Sequence, residues 1–342
     1  MRIWFNHWFS TAYHLIGLMR ESGPERFTFV GSSSNPYAVY QRACDEWFAE
    51  PELPKEEYVD FCLRFCEEHR IDIFVPRRGL PEITENAARF WGIGVRLFAD
   101  QDARMIAILE EKLRTYQLFK GEAFLPPVYG AHSSAEFDAA YETLQGCCSR
   151  VCYKLAVDEG ARTFRVIDDR ILSENALWNC PGAKVTLDTA RRIIAGYDFR
   201  VPVLLMPYLS GVEISADCLS TPSGPLVIPR FKSGTRHYAV RFQPEVMKLC
   251  ARIMDQLQLT MPMNIQFRME GEKIFLLEIN PRMSGGLQLS CRATGINLPG
   301  IALSQLLGEE APWQSPAWNE RKVTYIETPV CLEPDGEGSW MP

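Results

Sequence analysis

Glu278-Ile279-Asn280-Pro281-Arg282-Met283-Ser284-Gly285-Gly286 follows a short apolar run, Ile274-Phe275-Leu276-Leu277. Residues two apart on a strand share a face, so Glu278 and Asn280 are expected to emerge together at the carboxyl end of a core strand. One carboxylate and one carboxamide oxygen suit a hard cation such as Mg²⁺, which keeps few protein ligands and fills its shell with water and phosphate oxygens. Arg282, two residues on, supplies positive charge for phosphate. Upstream, Asn264-Ile265-Gln266-Phe267-Arg268-Met269 also alternates, and Glu270-Gly271-Glu272-Lys273 reads as a turn, so a hairpin is expected. If Glu270 pairs with Ile274 across a three-residue loop, Gln266 lies opposite Glu278 and Asn264 opposite Asn280. Ile265, Phe267 and Met269 then meet Ile279, Leu277 and Phe275 on the apolar face. On this register Gln266 joins Glu278 and Asn280 as a candidate metal ligand, whereas an even loop length would send it to the other face.

Cations recur in strand-like segments. Lys154 sits in Val151-Cys152-Tyr153-Lys154-Leu155, and burying an unpaired ammonium is costly, so it is either a phosphate ligand or an edge-strand lysine turned to water. Leu226 to Lys232 puts Arg230 and Lys232 on one face ahead of Ser233-Gly234-Thr235-Arg236-His237; two cations there suit a γ-phosphate or an acyl phosphate. The opening of the chain alternates strands (Arg2–Phe5, Phe27–Gly31, Ile71–Pro76) with helices (Ser10–Arg20, Tyr58–Arg70), which implies a parallel sheet. Ligands gather at the carboxyl ends of such strands, here Asn6 to Thr11, Ser32 to Asn35 and Arg77-Arg78-Gly79. Arg77 and Arg78 are candidates for a bidentate clamp on a substrate carboxylate or phosphate, with a pair of surface arginines as the other reading.

The segment Asn264 to Gly295, with Gln266, Glu278, Asn280 and Arg282, resembles the metal-binding end of the ATP-grasp ligases, especially carbamoyl phosphate synthetase. Glu111-Lys112-Leu113-Arg114-Thr115-Tyr116 is similar to the family's first nucleotide lysine, and the Lys154 strand to its second. Met206-Pro207-Tyr208-Leu209-Ser210-Gly211-Val212-Glu213 looks like the hinge that meets adenine and ribose. The resemblance covers about residues 100 to 308. It implies an α/β chain with an ATP-grasp fold, two α+β lobes clamping ATP, preceded by a parallel-sheet pre-ATP-grasp domain. The expected divisions are 1–99 for that domain, 100–308 for the ATP-grasp domain with a lid lobe at about 121–203, and a tail at 309–342. The family's glycine-rich flap corresponds to Ala156 to Thr163, where one glycine remains and Arg162 or Arg165 would supply charge; Pro207 replaces an acidic residue, which leaves the ribose to Glu213.

The implied activity is ATP-dependent joining of a carboxylate to an amine or other nitrogen nucleophile through an acyl phosphate, with Mg²⁺ or alternatively Mn²⁺. Arg282, Lys232 and Arg230 would act on the transferred phosphoryl group. Lys112, Lys154, Arg162, Met206, Tyr208, Leu209 and Glu213 would bind ATP. An ATP-binding regulatory protein without turnover and an ATP-grasp phosphotransferase remain as alternatives.

Composition narrows the setting. The chain has 342 residues, 46% of them apolar, and a net charge of −7, which describes a globular protein large enough for two or three lobes and disfavours nucleic acid as a bulk electrostatic partner. No apolar run reaches the roughly 18 residues of a spanning helix, and Met1-Arg2-Ile3-Trp4-Phe5-Asn6 has no signal-like h-region, so no membrane partner and a cytoplasmic location are expected. The 11 cysteines then read as reduced core thiols, without zinc-type CxxC pairs. Small-molecule carboxylate and amine substrates are the expected partners, and a homodimer stays open because a dimer interface leaves no readable signature.

Overall fold

The computed structural model describes residues 1–158, 160–171, 182–234 and 236–330. The chain divides into two compact units, one made of Met1–Ala107, Ile214–Gln266 and the chain from Ile279 on, the other of Ile108–Glu213 and Phe267–Glu278.

The first unit opens with five parallel strands, β1 (Arg2–Asn6), β2 (Thr28–Ser33), β3 (Glu46–Ala49), β4 (Ile73–Val75) and β5 (Arg96–Leu97), in the order β3-β2-β1-β4-β5. Strand alternation divides β1 between two cores. Ile3 and Phe5 pack with Leu15, Ile16 and Met19 of the Ala12–Glu21 helix, whereas Trp4 packs with Tyr58, Cys62, Phe65 and Cys66 of the Lys55–Glu68 helix. Both faces are covered, as a parallel sheet requires. The short strand β3 escapes the sequence reading because four residues carry too little periodicity.

The second unit holds β6 (Tyr129–Ala131), β7 (Val151–Leu155), β8 (Arg165–Ile167), β9 (Lys184–Val185) and β10 (Val203–Pro207), in the order β6-β10-β7-β8-β9. One face packs on Phe137, Ala140, Tyr141 and Leu144 of the Ser134–Gln145 helix. That helix is capped at its start: Ser133 Oγ accepts from the Glu136 N–H at 3.2 Å, and Glu136 Oε2 accepts from the His132 N–H at 2.8 Å. On the other face Cys152, Val166, Leu204 and Met206 pack with Tyr116. Lys154 alternates with Cys152, so it belongs to this second face.

A third sheet contains β11 (Glu213–Thr221), β12 (Gly224–Lys232), β13 (His237–Arg241), β14 (Met263–Glu270), β15 (Lys273–Asn280) and β16 (Glu320–Thr324), in the order β15-β14-β11-β12-β13-β16. Unit boundaries fall at Glu213/Ile214, Gln266/Phe267 and Glu278/Ile279. The hairpin of β14 and β15 is present, but its turn corrects the sequence reading. Two residues, Gly271 and Glu272, separate the strands instead of three, and Gly271 has φ 61°, the conformation a glycine provides at the first position of a two-residue turn. The assumed Glu270–Ile274 pairing, and the register built on it, belong to the longer loop. Glu320–Thr324, within the stretch read as a tail, pairs antiparallel with β13 as an edge strand.

Candidate active site

In the second unit, the amino-terminal residue of the Lys112–Leu118 helix delivers its ammonium to Glu278. Lys112 Nζ lies 3.5 Å from Glu278 Oε2 and donates to the Asp158 carbonyl at 2.6 Å, although the lysine is only 8% exposed. The helix is held in place from both ends. The Lys112 N–H donates to the Ala156 carbonyl at 3.0 Å, and Tyr116 Oη donates to the Leu277 carbonyl, one residue before Glu278, at 2.6 Å. Lys154 on β7 feels the same carboxylate. Its pKa is lowered to about 8: burial pushes it down most, the Glu278 charge holds it up, and the Lys112 ammonium adds to the lowering. Two ammonium groups thus share one carboxylate, an excess of positive charge suited to a polyanion.

The electrostatics give a sign. Lys154 has a lowered pKa in the folded protein, so between about 8 and 10.5 the unfolded chain binds a proton the folded chain has released. The burden of the buried ammonium is therefore full below pH 8 and lifts as pH rises toward the unfolded value. Ligand-free Lys154→Met protein is expected to be more stable than wild type at pH 7 by up to about 3 kcal/mol, with the gap closing toward pH 10. Calorimetric melting across that range checks this; a gap independent of pH would mean that the ammonium is not desolvated.

The expected hinge follows β10. Met206 and Leu209 are buried, Tyr208 is half-buried with the Arg150 guanidinium 4.3 Å from its ring centroid, and the Tyr208 N–H donates to the Arg150 carbonyl at 2.8 Å. Gly211 is required here, since a Cβ would stand 2.1 Å from the Met269 carbonyl oxygen. Glu213 is engaged by Arg268, whose Nη2 lies 2.6 Å from Glu213 Oε2 while Nη1 donates to the Leu209 carbonyl at 3.2 Å. Arg268 went unread in the sequence, although it continues the alternation of Asn264 and Gln266. Arg162 is exposed on the turn after β7, where Gly160 and Ala161 both take positive φ, at 65° and 55°.

In the first unit, Asn280 ends β15 and its carbonyl accepts from the Arg282 N–H at 2.8 Å. Arg282 lines a small pocket with Trp8, Leu80, Phe98 and Met261, beyond the carboxyl ends of β4 and β5, and its guanidinium lies 5.8 Å from the Phe9 ring centroid. These apolar walls strengthen its attraction for an anion by excluding water. Gln266 Nε2 donates to Asn264 Oδ1 at 3.1 Å, so these two share a face. Lys232 is exposed at the end of β12.

Arg230, expected to reach phosphate, is turned inward. It is 4% exposed; Nε donates to Ser290 Oγ at 2.8 Å and to Asp217 Oδ2 at 3.2 Å, and Nη2 donates to Ser215 Oγ at 3.1 Å and Ser284 Oγ at 3.2 Å. Of the expected Arg77–Arg78 clamp, Arg78 is engaged within the protein. The Arg78 guanidinium donates to Glu50 Oε1 at 3.2 Å and to the carbonyls of Pro51 and Leu53, and lies 4.6 Å from the Tyr58 ring centroid. Buried Glu50 needs that charge, and it also accepts from Tyr58 and Ser32. The Arg77 N–H donates to Asn6 Oδ1 at 2.6 Å, across the point where the strand order of the parallel sheet reverses.

Asp217, Ser284 and Ser290 are the residues that the sequence reading missed. A signal was present: Asp217 lies in the otherwise apolar run Ala216-Asp217-Cys218-Leu219, where a carboxylate demands a partner. Among the described residues, no group of three or more His, Cys, Asp or Glu side chains converges as a metal cage, and the nine cysteines are free thiols. No helix among the described residues is long and apolar enough to cross a membrane.

Residues 199–329 match a family model described as "ATP-grasp in the biosynthetic pathway with Ter operon". The carbamoyl phosphate synthase large chain of Clostridium acetobutylicum is 22% identical over 292 residues, covering 80% of this chain and 26% of that one. This chain thus spans about a quarter or less of the length of the curated relatives it matches. Among solved structures, the biotin carboxylase domain of Hydrogenobacter thermophilus 2-oxoglutarate carboxylase, in complex with MgADP, ADP and bicarbonate, superposes with a TM-score of 0.64 at 16% identity, covering 92% of this chain and 71% of that one. N5-carboxyaminoimidazole synthetase from Staphylococcus aureus, complexed with ADP, gives a TM-score of 0.65 at 13% identity, covering 91% of this chain and 78% of that one.

Proposed function

Because the chain has the ATP-grasp fold, we propose that it is an ATP-dependent ligase joining a carboxylate to an amine or another nitrogen nucleophile, releasing ADP and phosphate. The observation that carries this reading is Glu278, paired with Lys112, close enough to Lys154 to hold up its pKa, and followed two residues later by Asn280. Lys112 and Lys154 neutralise the triphosphate, and their desolvation strengthens that attraction. Met206, Tyr208 and Leu209 contact the base, and Glu213, steadied by Arg268, meets the ribose hydroxyls. Glu278 and Asn280 would hold Mg²⁺. When bound, such an ion would offset the negative charge of the transferred phosphate.

In the first step a carboxylate oxygen of the substrate attacks the γ-phosphorus and the bond to the β-γ bridging oxygen breaks, giving an acyl phosphate and ADP. In the second, the amine attacks the acyl carbon, loses a proton and expels phosphate. Arg282, set among apolar side chains, binds the carboxylate and then the developing charge on the phosphoryl oxygens, with Lys232 as a second cation. The enzyme supplies position and fixed charge rather than a covalent nucleophile.

The test is ADP release with Mg²⁺ and pooled carboxylates and amines, read beside new product masses. ADP and a condensed product that both require the two acceptors support the ligase. ADP with a phosphorylated alcohol supports a phosphotransferase. ATP binding with no ADP in any pool supports a regulatory binding protein, a reading motivated by Pro207 and the flap with a single glycine.

A further inference from the structure

We infer that Asp217 and Arg230 are positioning residues, and that Ser284 is the link through which they hold the segment carrying Asn280 and Arg282. The inference takes the roles of Asn280 and Arg282 from the ligase reading; the geometry that supports it is independent of that reading.

Pro281–Gly286 connects β15 to the Leu287–Thr294 helix without helix or strand geometry of its own, so side-chain contacts must fix its path. Ser284 is the nexus. Its hydroxyl donates to Asp217 Oδ1 at 2.7 Å and accepts from Arg230 Nη2 at 3.2 Å and from the Gly286 N–H at 3.3 Å. The anchor it reaches is rigid. Asp217 stands in the middle of β11 and Arg230 in β12; both side chains are almost fully buried, 3.2 Å apart.

The anchor is also saturated. Asp217 Oδ1 accepts from Ser284 and from Asn264 Nδ2 at 2.9 Å, while Oδ2 accepts from Ser290 Oγ at 2.6 Å and from Arg230. A carboxylate with both oxygens doubly engaged has no freedom to rotate, and neither does the guanidinium it holds. The segment touches this guanidinium a second time at Gly286, where a Cβ would stand 2.2 Å from Arg230 Nη1. Thus one hydroxyl and one bare backbone position register the segment against the sheet. Four residues before Ser284 is Asn280, and two before it is Arg282. Functional groups must be held within about 0.5 Å of productive geometry, and supporting contacts of this kind provide that.

Two serines separate this role from plain structural support. Ser290 makes the same pair of bonds to Asp217 and Arg230 as Ser284 does, but from the helix rather than from the segment. Ser284→Ala and Ser290→Ala are expected to lower the melting temperature alike. Only Ser284→Ala is expected to speed amide hydrogen exchange across residues 282–286 in the ligand-free protein, to raise the Mg²⁺ concentration required for ATP binding by calorimetry about tenfold, and to lower kcat with the KM for ATP unchanged at saturating Mg²⁺. Ser284→Thr, which keeps the hydroxyl, restores all three. Equal exchange in the two alanine variants, or an equal Mg²⁺ shift, overturns the inference. The exchange difference without any ADP release from the wild type leaves the positioning role standing and removes the ligase reading.

Discussion

Glu278→Gln protein is expected to lose turnover by at least about 10²- to 10³-fold, the loss typical when a preorganised electrostatic contact to the transition state is removed. The substitution keeps shape and removes one charge, so the effect reports on electrostatics. Three consequences follow from the geometry. The proposed metal site would be reduced to neutral oxygens, so the Mg²⁺ requirement is expected to rise. Lys112 loses the carboxylate 3.5 Å from its ammonium. Lys154 loses the charge that holds its pKa up, so it titrates below its present value of about 8 and is partly neutral near physiological pH. Lower pH should therefore recover some ATP affinity in Glu278→Gln protein while leaving turnover low, because reprotonating Lys154 restores phosphate binding and not the metal ligand. ADP release and ATP calorimetry between pH 6 and 9 separate the two. Unchanged ADP release would remove Glu278 from the metal site.

Most of the fold was legible because the signals are local. The alternation in β1, β14 and β15 follows from strand geometry. The Lys112, Lys154 and Glu278 cluster was legible at a second level. Each residue alone has an ordinary reading, as a solvated helix lysine, an edge lysine or a turn carboxylate, and only their order along the chain suggested one site.

What failed depended on partners far apart in sequence. Arg78 was read as a ligand because two adjacent arginines at a strand end attract anions, but the anion is Glu50, 28 residues earlier. Arg230 was read as a phosphate contact because it alternates with Lys232 on β12. Nothing local reveals that Asp217 stands across the sheet with Ser290 behind it. The loop of the β14–β15 hairpin is one residue shorter than expected because Lys273, the third loop position of the assumed register, fits a strand start equally well and begins β15.

Breaking the Asp217–Arg230 pair is expected to be the most destabilising single change in the first unit. Asp217→Ala leaves a buried guanidinium without its counter-ion, and the loss of one partner from a buried pair costs about 3–5 kcal/mol. An isolated buried pair can often be replaced by two apolar residues at little net cost, because desolvating both charges opposes their attraction. That escape is closed here. Ser215, Ser284, Ser290 and Asn264 all direct polar atoms at the pair, and an apolar replacement would orphan several of them at about 1–3 kcal/mol each. Asp217→Leu/Arg230→Met protein is therefore expected to remain well below wild type in urea midpoint. A double-mutant cycle should show coupling smaller than either single loss, because the network binds each partner independently of the other. Recovery of the wild-type midpoint in the double variant would mean that the four surrounding residues follow the pair rather than depend on it, and that the network is an isolated ion pair with incidental neighbours.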